Sequence, residues 1–241
     1  MFKNITKVLI ISPHSDDELF GFPFIDSIKK NFDVLLLEND EKRYKESIRS
    51  SKINGFNLKI YKGEKVAKGN FFHKILDQLI MDFYSFFDDY DLILAPMIEG
   101  GHQDHDTVSF ALLYCKKIKE GKAKLFFYST YRSIERFPFM YTCGFSKNIS
   151  KDSIFKVAMT KKILLKIFKT IFLAYKSQYK TWLFLLPALF IAYLKGDLNK
   201  LCDSEKLDFK KIKLFVPKMP LYQKYRNLKR DEWLKEIKDF T

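Results

Sequence analysis

Cysteine is scarce in this chain. Its three cysteines, Cys115, Cys143 and Cys202, lie far apart and form no C-x-x-C pair. An odd number of widely spaced cysteines argues against a disulfide framework and against a zinc site built from thiolates. We therefore expect the protein to work in a reducing compartment, namely the cytoplasm, including the inner face of its membrane.

Long apolar stretches are also missing. The longest run, residues 181–194, is too short to span a bilayer as a helix, and Pro187 interrupts it. The first eleven residues lack the apolar run and the cleavage site of a secretory signal peptide. The sequence thus predicts neither a transmembrane helix nor a secretion signal.

Acidic residues are outnumbered, since 43 Lys and Arg stand against 29 Asp and Glu, for a net charge of +14. Such a balance indicates an acidic partner, such as a phosphorylated substrate, an anionic membrane surface or nucleic acid. The abundance of Lys, Ile, Phe, Tyr and Asn is also what an AT-rich genome encodes. Because the chain has no zinc finger, helix-turn-helix signature or RNP-like strand, we do not expect a nucleic-acid partner.

Short apolar runs alternate with helix-spaced segments over residues 1–135. Strands are predicted at 8–12, 32–37, 57–61, 91–95 and 124–129, and helices at 18–30, 42–54, 71–87 and 106–119. This alternation predicts an α/β fold with a Rossmann-like, mostly parallel sheet flanked by helices. Residues 136–241 are predicted to be a mainly helical extension packed on this α/β core, giving one domain overall.

The first chemical motif is VLIISPHSDDELFG, residues 8–21. A buried strand runs directly into His14 and three consecutive acids, and burying like charges together is costly unless a positive charge compensates. Ligands of parallel sheets bind beyond the carboxyl ends of the strands. The motif therefore predicts a cation, or water, at this end of the first strand, with Glu18 as a helix N-terminal or supporting acid and not a ligand.

The second motif is GGHQDHD, residues 100–106, which follows the strand predicted at 91–95. Both motifs should open on the same edge of the sheet. Two imidazoles and one carboxylate are a standard ligand set for a catalytic zinc ion, so we predict His14, Asp17 and His105 as metal ligands. Asp16 then remains free beside the metal, which is the place for a general base.

His102 and Asp104 remain for other tasks. His102 could hydrogen-bond a developing oxyanion and protonate a leaving amine, and Asp104 could accept the other ring proton of His102. A Lewis acid, a water molecule, a base and an acid together suit the hydrolysis of an amide. The same ligand set also describes the facial triad of Fe(II) oxygenases, although those enzymes normally use a β-barrel.

The two motifs together resemble the PIG-L/LmbE-like family, the zinc-dependent N-deacetylases related to GlcNAc-phosphatidylinositol de-N-acetylase. PHSDDE and GGHQDHD match its two signatures in the right order, and residues 39–56, with Arg43, Glu46 and Gly55, look like its helix after the second strand. Residues 175–178 are similar to a late family segment. Two departures are Ser15, where the family usually has proline, and the FPF sequence at 22–24, where it commonly has small residues.

The resemblance implies a fold, a reaction and a set of roles. His14, Asp17 and His105 would bind Zn²⁺, with Fe²⁺ as the alternative metal, and Asp16 would be the base. His102 would stabilise the oxyanion and the leaving group, supported by Asp104. The reaction would remove the N-acetyl group from a GlcNAc-type amino-sugar conjugate used in glycoconjugate or surface-polysaccharide biosynthesis.

Further expectations concern the substrate and its surroundings. Arg43 is a candidate to grip an anionic substrate, and Glu99 is a candidate to contact substrate hydroxyls. Segment 161–194, rich in lysine and aromatic residues, is a candidate for peripheral membrane contact, and the substrate could be phosphate- or lipid-linked. The alternative function is a basic membrane-surface or nucleic-acid-binding protein. The sequence leaves the oligomeric state open.

Overall fold

The computed structural model describes residues 4–28, 31–38, 40–63, 72–119, 121–134, 137–157, 160–217, 220 and 229–238. Its strands are β1 (Val8–Ser12), β2 (Phe32–Leu36), β3 (Asn57–Ile60), β4 (Leu92–Pro96), β5 (Lys124–Tyr128), β6 (Arg132–Ile134), β7 (Phe137–Thr142), β8 (Ile154–Lys156) and β9 (Lys200–Asp203). The helices are α1 (Phe22–Ile28), α2 (Glu41–Asn54), α3 (Leu76–Tyr84), α4 (Phe86–Asp89), α5 (Gln103–Ile118), α6 (Lys161–Ala174), α7 (Tyr179–Lys195) and α8 (Arg230–Glu236).

Seven strands form one sheet in the order β3-β2-β1-β4-β5-β9-β8. The first five run parallel, whereas β9 is antiparallel to both β5 and β8. This arrangement confirms the predicted α/β fold with a mostly parallel sheet flanked by helices. The strand order reverses between β1 and β4, so the crevice typical of such sheets lies beyond the carboxyl ends of these two strands.

The central strands are apolar on both faces because helices cover both sides of the sheet. Every residue of β1 and of β4 is buried. Alternate residues of β1 feed two separate cores, with Leu9 and Ile11 in one and Val8 and Ile10 in the other. The burial of β1 and β4 fixes the position at which the chain leaves the carboxyl end of each strand.

The segments after the strands differ in detail from the prediction. The helix predicted at 18–30 begins as a 3₁₀ turn, Asp17–Gly21, before α1 continues it. The helix predicted at 71–87 is divided into a 3₁₀ turn, Phe72–Ile75, followed by α3 and α4. By contrast, α2 ends at Gly55 as predicted, and that residue adopts the left-handed conformation with φ of 72°.

The C-terminal part is joined to the sheet as well as packed on it. Its helices α6 and α7 follow the prediction, but β8 and β9 extend the sheet beyond β5. Side-chain contacts also tie this part to α2, since Asn54 donates to the Thr170 hydroxyl at 3.1 Å and Arg49 donates to the Ala174 carbonyl at 3.2 Å. Within the described ranges, no helix has both the length and the hydropathy needed to cross a bilayer.

Candidate metal centre

The turn after β1 and the start of α5 meet at the carboxyl edge of the sheet. The parallel pairing of β1 with β4 brings the two predicted motifs together, because the chain leaves both strands on the same side. His14, Asp17 and His105 are all buried there. His102 is the N-cap residue of α5, and its Nδ1 accepts the backbone N–H of Asp104 at 3.2 Å.

Three ligand atoms converge within this cluster. Nδ1 of His14 lies 3.3 Å from Oδ2 of Asp17, Nε2 of His105 lies 3.0 Å from the same oxygen, and the two nitrogens are 3.3 Å apart. A tetrahedral metal ion with ligands at about 2.1 Å would place those ligands about 3.4 Å from one another. The three residues therefore fit a divalent metal ion with little adjustment.

Among the described residues, a second group of three also lies close enough to hold a metal ion: His14, His102 and Asp104. It is less regular, because Oδ2 of Asp104 is 2.8 Å from Nε2 of His14 but 3.6 Å from Nδ1 of His102. Nδ1 of His102 already accepts a backbone N–H. The donor atoms of the first group are the better arranged ligand set.

Asp104 contacts both His14 and His102. Its carboxylate makes the shorter of these two contacts with His14 and not with His102. A carboxylate on the far nitrogen of a metal-binding imidazole fixes the ring orientation and makes it a stronger ligand. His105 has a similar partner, since its Nδ1 lies 3.4 Å from the Thr130 hydroxyl.

Charges inside the cluster shift the pKa values of its members strongly. Burial favours neutral His14, but the hydrogen bonds and charges of Asp104 and Asp17 outweigh it and raise the pKa of His14 to about 10. Burial would likewise raise the pKa of Asp17, yet His105 and His14 hold it well below its usual range. A proton on His14 then provides positive charge that the buried acids require.

Asp16 lies beside His14, Asp17 and His105 in a strained conformation. Its φ is 93°, and it is the sole non-glycine residue with positive φ in the described part of the chain. Its Oδ2 accepts the indole N–H of Trp182 at 2.7 Å, and Nη2 of Arg43 lies 3.3 Å from its Oδ1. Burial raises the pKa of Asp16 well above its ordinary value, although Arg43 opposes the shift.

Arg43 holds the first motif in place, and its role as a substrate contact stays a prediction. The guanidinium donates to Oε1 of Glu38 and to the carbonyl oxygen of Ser15, both at 2.9 Å, as well as to Asp16. The backbone N–H of Ser15, which the proline usual at this position would lack, donates to Oε2 of Glu38 at 3.1 Å. Arg43 does line the cavity described below, but these partners already occupy its two terminal nitrogens.

Glu99 lies behind this cluster and is only 1% exposed, and its contact with substrate hydroxyls stays a prediction. Its Oε2 accepts the Ser129 hydroxyl and the Thr130 N–H, each at 3.2 Å. Through Thr130 it supports His105. Burial, offset in part by Arg132, raises the pKa of Glu99 to about 7.

Glu18 has the supporting role that the sequence predicted. Its Oε1 accepts the hydroxyl groups of Ser50, at 2.9 Å, and of Tyr175, and its Oε2 accepts the N–H of Asp16 at 3.1 Å. Ser177, two residues after Tyr175, donates its N–H and its hydroxyl to Glu46, at 2.8 and 2.6 Å. These contacts place the start of α7 against the first motif.

A cavity of about 190 Å³ opens in front of the cluster. Its wall includes His14, Asp16, Asp17, Phe20, Arg43, His102, Tyr131, Gln178, Thr181, Trp182 and Leu185. The sequence interpretation missed Tyr131 and the four residues from the α7 region. The one usable signal was the resemblance of residues 175–178 to a late family segment, because this stretch ends at Gln178 on the cavity wall.

No protein-family model and no curated protein matches this chain. Solved structures do match. The zinc inhibited form of teicoplanin deacetylase Orf2 is similar with a TM-score of 0.52 and 15% identity over 72% of this chain and 85% of that one. The conserved protein TT1542 from Thermus thermophilus gives a TM-score of 0.50 and 14% identity, over 85% and 97% of the respective chains.

This chain shares their fold. At such low identity the likeness speaks to architecture, and it confirms the fold that the sequence resemblance implied. The chemistry has to be argued from the cluster of side chains and the cavity in front of it.

Proposed function

We propose that the protein is a metal-dependent hydrolase that removes the N-acetyl group from an amino-sugar conjugate. The observation that carries the proposal is the convergence of His14, Asp17 and His105, with Asp16 and His102 on the wall of the same cavity. The side chains that the proposed amide hydrolysis would use lie together in one place. The fold shared with a protein described as a teicoplanin deacetylase agrees with this reaction.

The three ligand residues would hold one divalent cation, and Asp104 and Thr130 would orient the two imidazoles. Such a cation supplies a Lewis acid that polarises the acyl oxygen and lowers the pKa of a water molecule. Burial of the cluster excludes bulk water, which strengthens every charge interaction inside the site. We propose Zn²⁺ as the metal and Fe²⁺ as the alternative.

Asp16 acts as the general base in this scheme. It takes one proton from a water molecule as the water oxygen attacks the acetyl carbon. A raised pKa brings a carboxylate closer to the operating pH and makes it a stronger base. Trp182 and Arg43 hold its two oxygens in a fixed position, so that little reorganisation is needed during the reaction.

His102 acts on the other side of the acyl group. Because its Nδ1 accepts the Asp104 N–H, a proton on the ring of the neutral form resides on Nε2. That N–H can donate to the oxyanion that develops during attack, which is the interaction that lowers such barriers most. As the carbon–nitrogen bond breaks, the leaving nitrogen takes the proton that Asp16 removed from the water molecule, so a free amine forms and Asp16 becomes a carboxylate again. The acetyl group leaves as acetic acid, which releases its proton to solvent and becomes acetate.

The substrate is proposed to be a GlcNAc-type conjugate in glycoconjugate or surface-polysaccharide biosynthesis. The cavity has room for about one sugar-sized group, and α7 forms part of its wall. The net charge of +14 favours a substrate that carries phosphate, whether in a nucleotide or in a lipid diphosphate.

The decisive experiment measures acetate release from N-acetylglucosamine as the free sugar and linked to a nucleotide, a polyprenyl diphosphate and inositol. Protein loaded with Zn²⁺ or with Fe²⁺ is compared with protein stripped of metal, and bound metal is measured in each sample. We expect release from at least one conjugate only when about one metal ion is bound per chain. Metal-loaded protein that releases no acetate from any conjugate would contradict the proposed substrate class, and protein that binds no metal would contradict the site itself.

A further inference from the structure

The outer side of α7 is apolar where a surface helix is normally polar. Exposed residues recur there at helical spacing, namely Leu183, Phe184, Phe190, Ile191 and Leu194. The opposite side of the same helix is also apolar and is buried against the protein. Phe184, at 72% exposed, has the most open side chain of this row.

The apolar surface continues onto α6. Leu165, Phe172 and Leu173 are each about half or more exposed, and the ring of Phe172 lies 6.0 Å from that of Tyr179 at the start of α7. We refer to the exposed apolar residues of the two helices as the α6–α7 face. A contiguous exposed apolar surface of this kind marks an interaction site in a folded protein.

Lysines surround this face, and acids are absent from it. Residues 160–196 contain seven lysines and no Asp or Glu. All seven are exposed, including Lys162 and Lys169 on α6 and Lys180 and Lys195 on α7. Apolar side chains bordered by lysines are typical of helices that lie in the plane of an anionic lipid surface.

We propose that the α6–α7 face docks on the surface of an anionic lipid bilayer. The helices would lie in the interface, with Phe184 and its neighbours among the acyl chains and the lysines at the headgroups. No helix in the described ranges is fit to cross the bilayer, so the contact is peripheral. A second copy of the chain is a poorer occupant, because it would bring two sets of seven lysines together.

The same helix forms part of the cavity wall through Thr181, Trp182 and Leu185. Docking of α7 therefore brings the cavity close to the lipid headgroups. Resting on the proposed function, this position indicates a substrate whose amino sugar is linked through phosphate to a lipid. The sugar would enter the cavity while its lipid stays in the bilayer.

The test is cosedimentation of the metal-loaded full chain with vesicles of phosphatidylcholine alone or mixed equally with phosphatidylglycerol. We expect binding to the mixed vesicles and at least tenfold weaker binding of the Phe184→Glu variant. Met81→Glu is the matched control, because Met81 on α3 is 71% exposed and the charge change is the same. This control should bind within about twofold of the unchanged protein, since only general electrostatics is altered.

Three results would overturn the proposal. They are no binding to mixed vesicles, equal binding of the two glutamate variants, and a dimer in solution that only Phe184→Glu dissociates. A second readout is Phe184→Trp, whose added fluorescence should be quenched by brominated lipid. None of these measurements uses hydrolysis, so a failure of membrane binding stays separate from a failure of the proposed reaction.

Discussion

Acids at the two edges of the central sheet have opposite electrostatic character. At the amino edge, three hydrogen bonds from Thr6 and Lys7 hold the pKa of Asp91 below its usual range. At the carboxyl edge, burial raises the pKa of three acids. The pKa of Asp16 lies well above its ordinary value, that of Glu99 is about 7 and that of Asp106 is about 8. Asp17 is the exception there, because its histidine partners lower its pKa.

This difference in pKa shows which acids stabilise the fold and which destabilise it. A carboxylate with a lowered pKa is more stable in the folded chain than in the unfolded one, whereas a raised pKa has the opposite effect near neutral pH. Buried acids with raised pKa values are characteristic of sites that bind metals or transfer protons. The buried acids at the carboxyl edge thus lower the stability of the fold and serve the chemistry proposed here. Substitutions of acids at each edge should separate the stabilising role from the catalytic one.

The largest effect is expected at Asp16. Asp16→Asn removes the proposed base but keeps the shape of the side chain and leaves the three proposed metal ligands in place. We expect acetate release to fall by about 10³-fold, within the range that general base catalysis contributes, while bound metal stays near one ion per chain. The measurement is acetate release with metal content determined on the same sample.

Asp26→Asn is the matched control for Asp16→Asn, because Asp26 is an exposed acid on α1 and the chemical change is identical. It should retain full activity. An Asp16→Asn variant that keeps its activity would remove Asp16 from the mechanism, whereas a variant that loses its metal would place Asp16 among the ligands.

A smaller effect on stability is expected at Glu99. Since its folded pKa of about 7 exceeds the unfolded value of about 4.3, its contribution is fully present below pH 4 and is lost as pH rises through 7. Glu99→Gln removes this loss. Relative to the variant, the unchanged protein should lose up to about 3 kcal/mol in its free energy of unfolding between pH 4 and pH 8.

Urea unfolding at the two pH values measures this difference, with both proteins in the same metal state. Glu205→Gln serves as the control, because its side chain is 63% exposed and its ionic partner, Lys116, lies 3.5 Å away at the surface. If the free energy of unfolding had the same pH dependence in Glu99→Gln and in the unchanged protein, burial of ionised Glu99 would not destabilise the fold.

Trp182 offers a way to sharpen the comparison, because it connects the C-terminal part to the carboxyl edge. Trp182→Phe keeps an aromatic ring against Phe20, 5.7 Å away, but deletes the N–H that stabilises charged Asp16. We expect an approximately tenfold lower kcat, as for a lost hydrogen bond to a charged group. The acidic limb of the pH–rate profile should move to higher pH, because the pKa of Asp16 rises further.

Trp233→Phe makes the same substitution at the other tryptophan, whose N–H donates to the Thr107 hydroxyl at 3.1 Å. It lies outside the described cavity wall, so it can reduce stability but should leave the pH–rate profile unchanged. Equal shifts in both variants would mean that the profile responds to a general loss of packing and not to the Asp16 contact.

These contacts show which parts of the site are readable in a sequence. The convergence of His14, Asp17 and His105 was predictable, because strand ends in a parallel sheet share one edge and each motif follows directly after a strand. The contact of Trp182 with Asp16 joins residues 166 positions apart and depends on how α7 packs. Whether Arg43 and Glu99 face the cavity likewise depends on packing, which the spacing of residues does not encode.

The fold was predictable to a similar extent. The central strands are continuous apolar runs, and their burial in the structure explains why the pattern identifies them. In contrast, β8 and β9 have three and four residues with lysine at their ends. Such short strands form because β5 offers a free edge for pairing, and that edge exists only in the folded sheet.

The smallest effect is expected at the amino edge, where Asp91 holds the entrance to β1. Its Oδ2 accepts the Thr6 N–H at 2.9 Å, the Thr6 hydroxyl at 2.6 Å and the Lys7 N–H at 3.0 Å. Because these bonds lower the folded pKa, their contribution is present above pH 4 and is lost as pH falls below it. Asp91→Asn should therefore cost about 1 kcal/mol at pH 7 and less at pH 3.

Urea unfolding at these two pH values measures the effect, and acetate release should match the unchanged protein at pH 7. A change in acetate release would contradict the distinction between the two edges. It would mean that an acid at the amino edge influences the site at the opposite ends of β1 and β4. A loss of stability that grew toward acid pH would reverse the sign assigned to Asp91. We expect Asp91 to be a structural acid at the amino edge and Asp16 a catalytic acid at the carboxyl edge. That result would place the chemistry at the carboxyl ends of the strands alone.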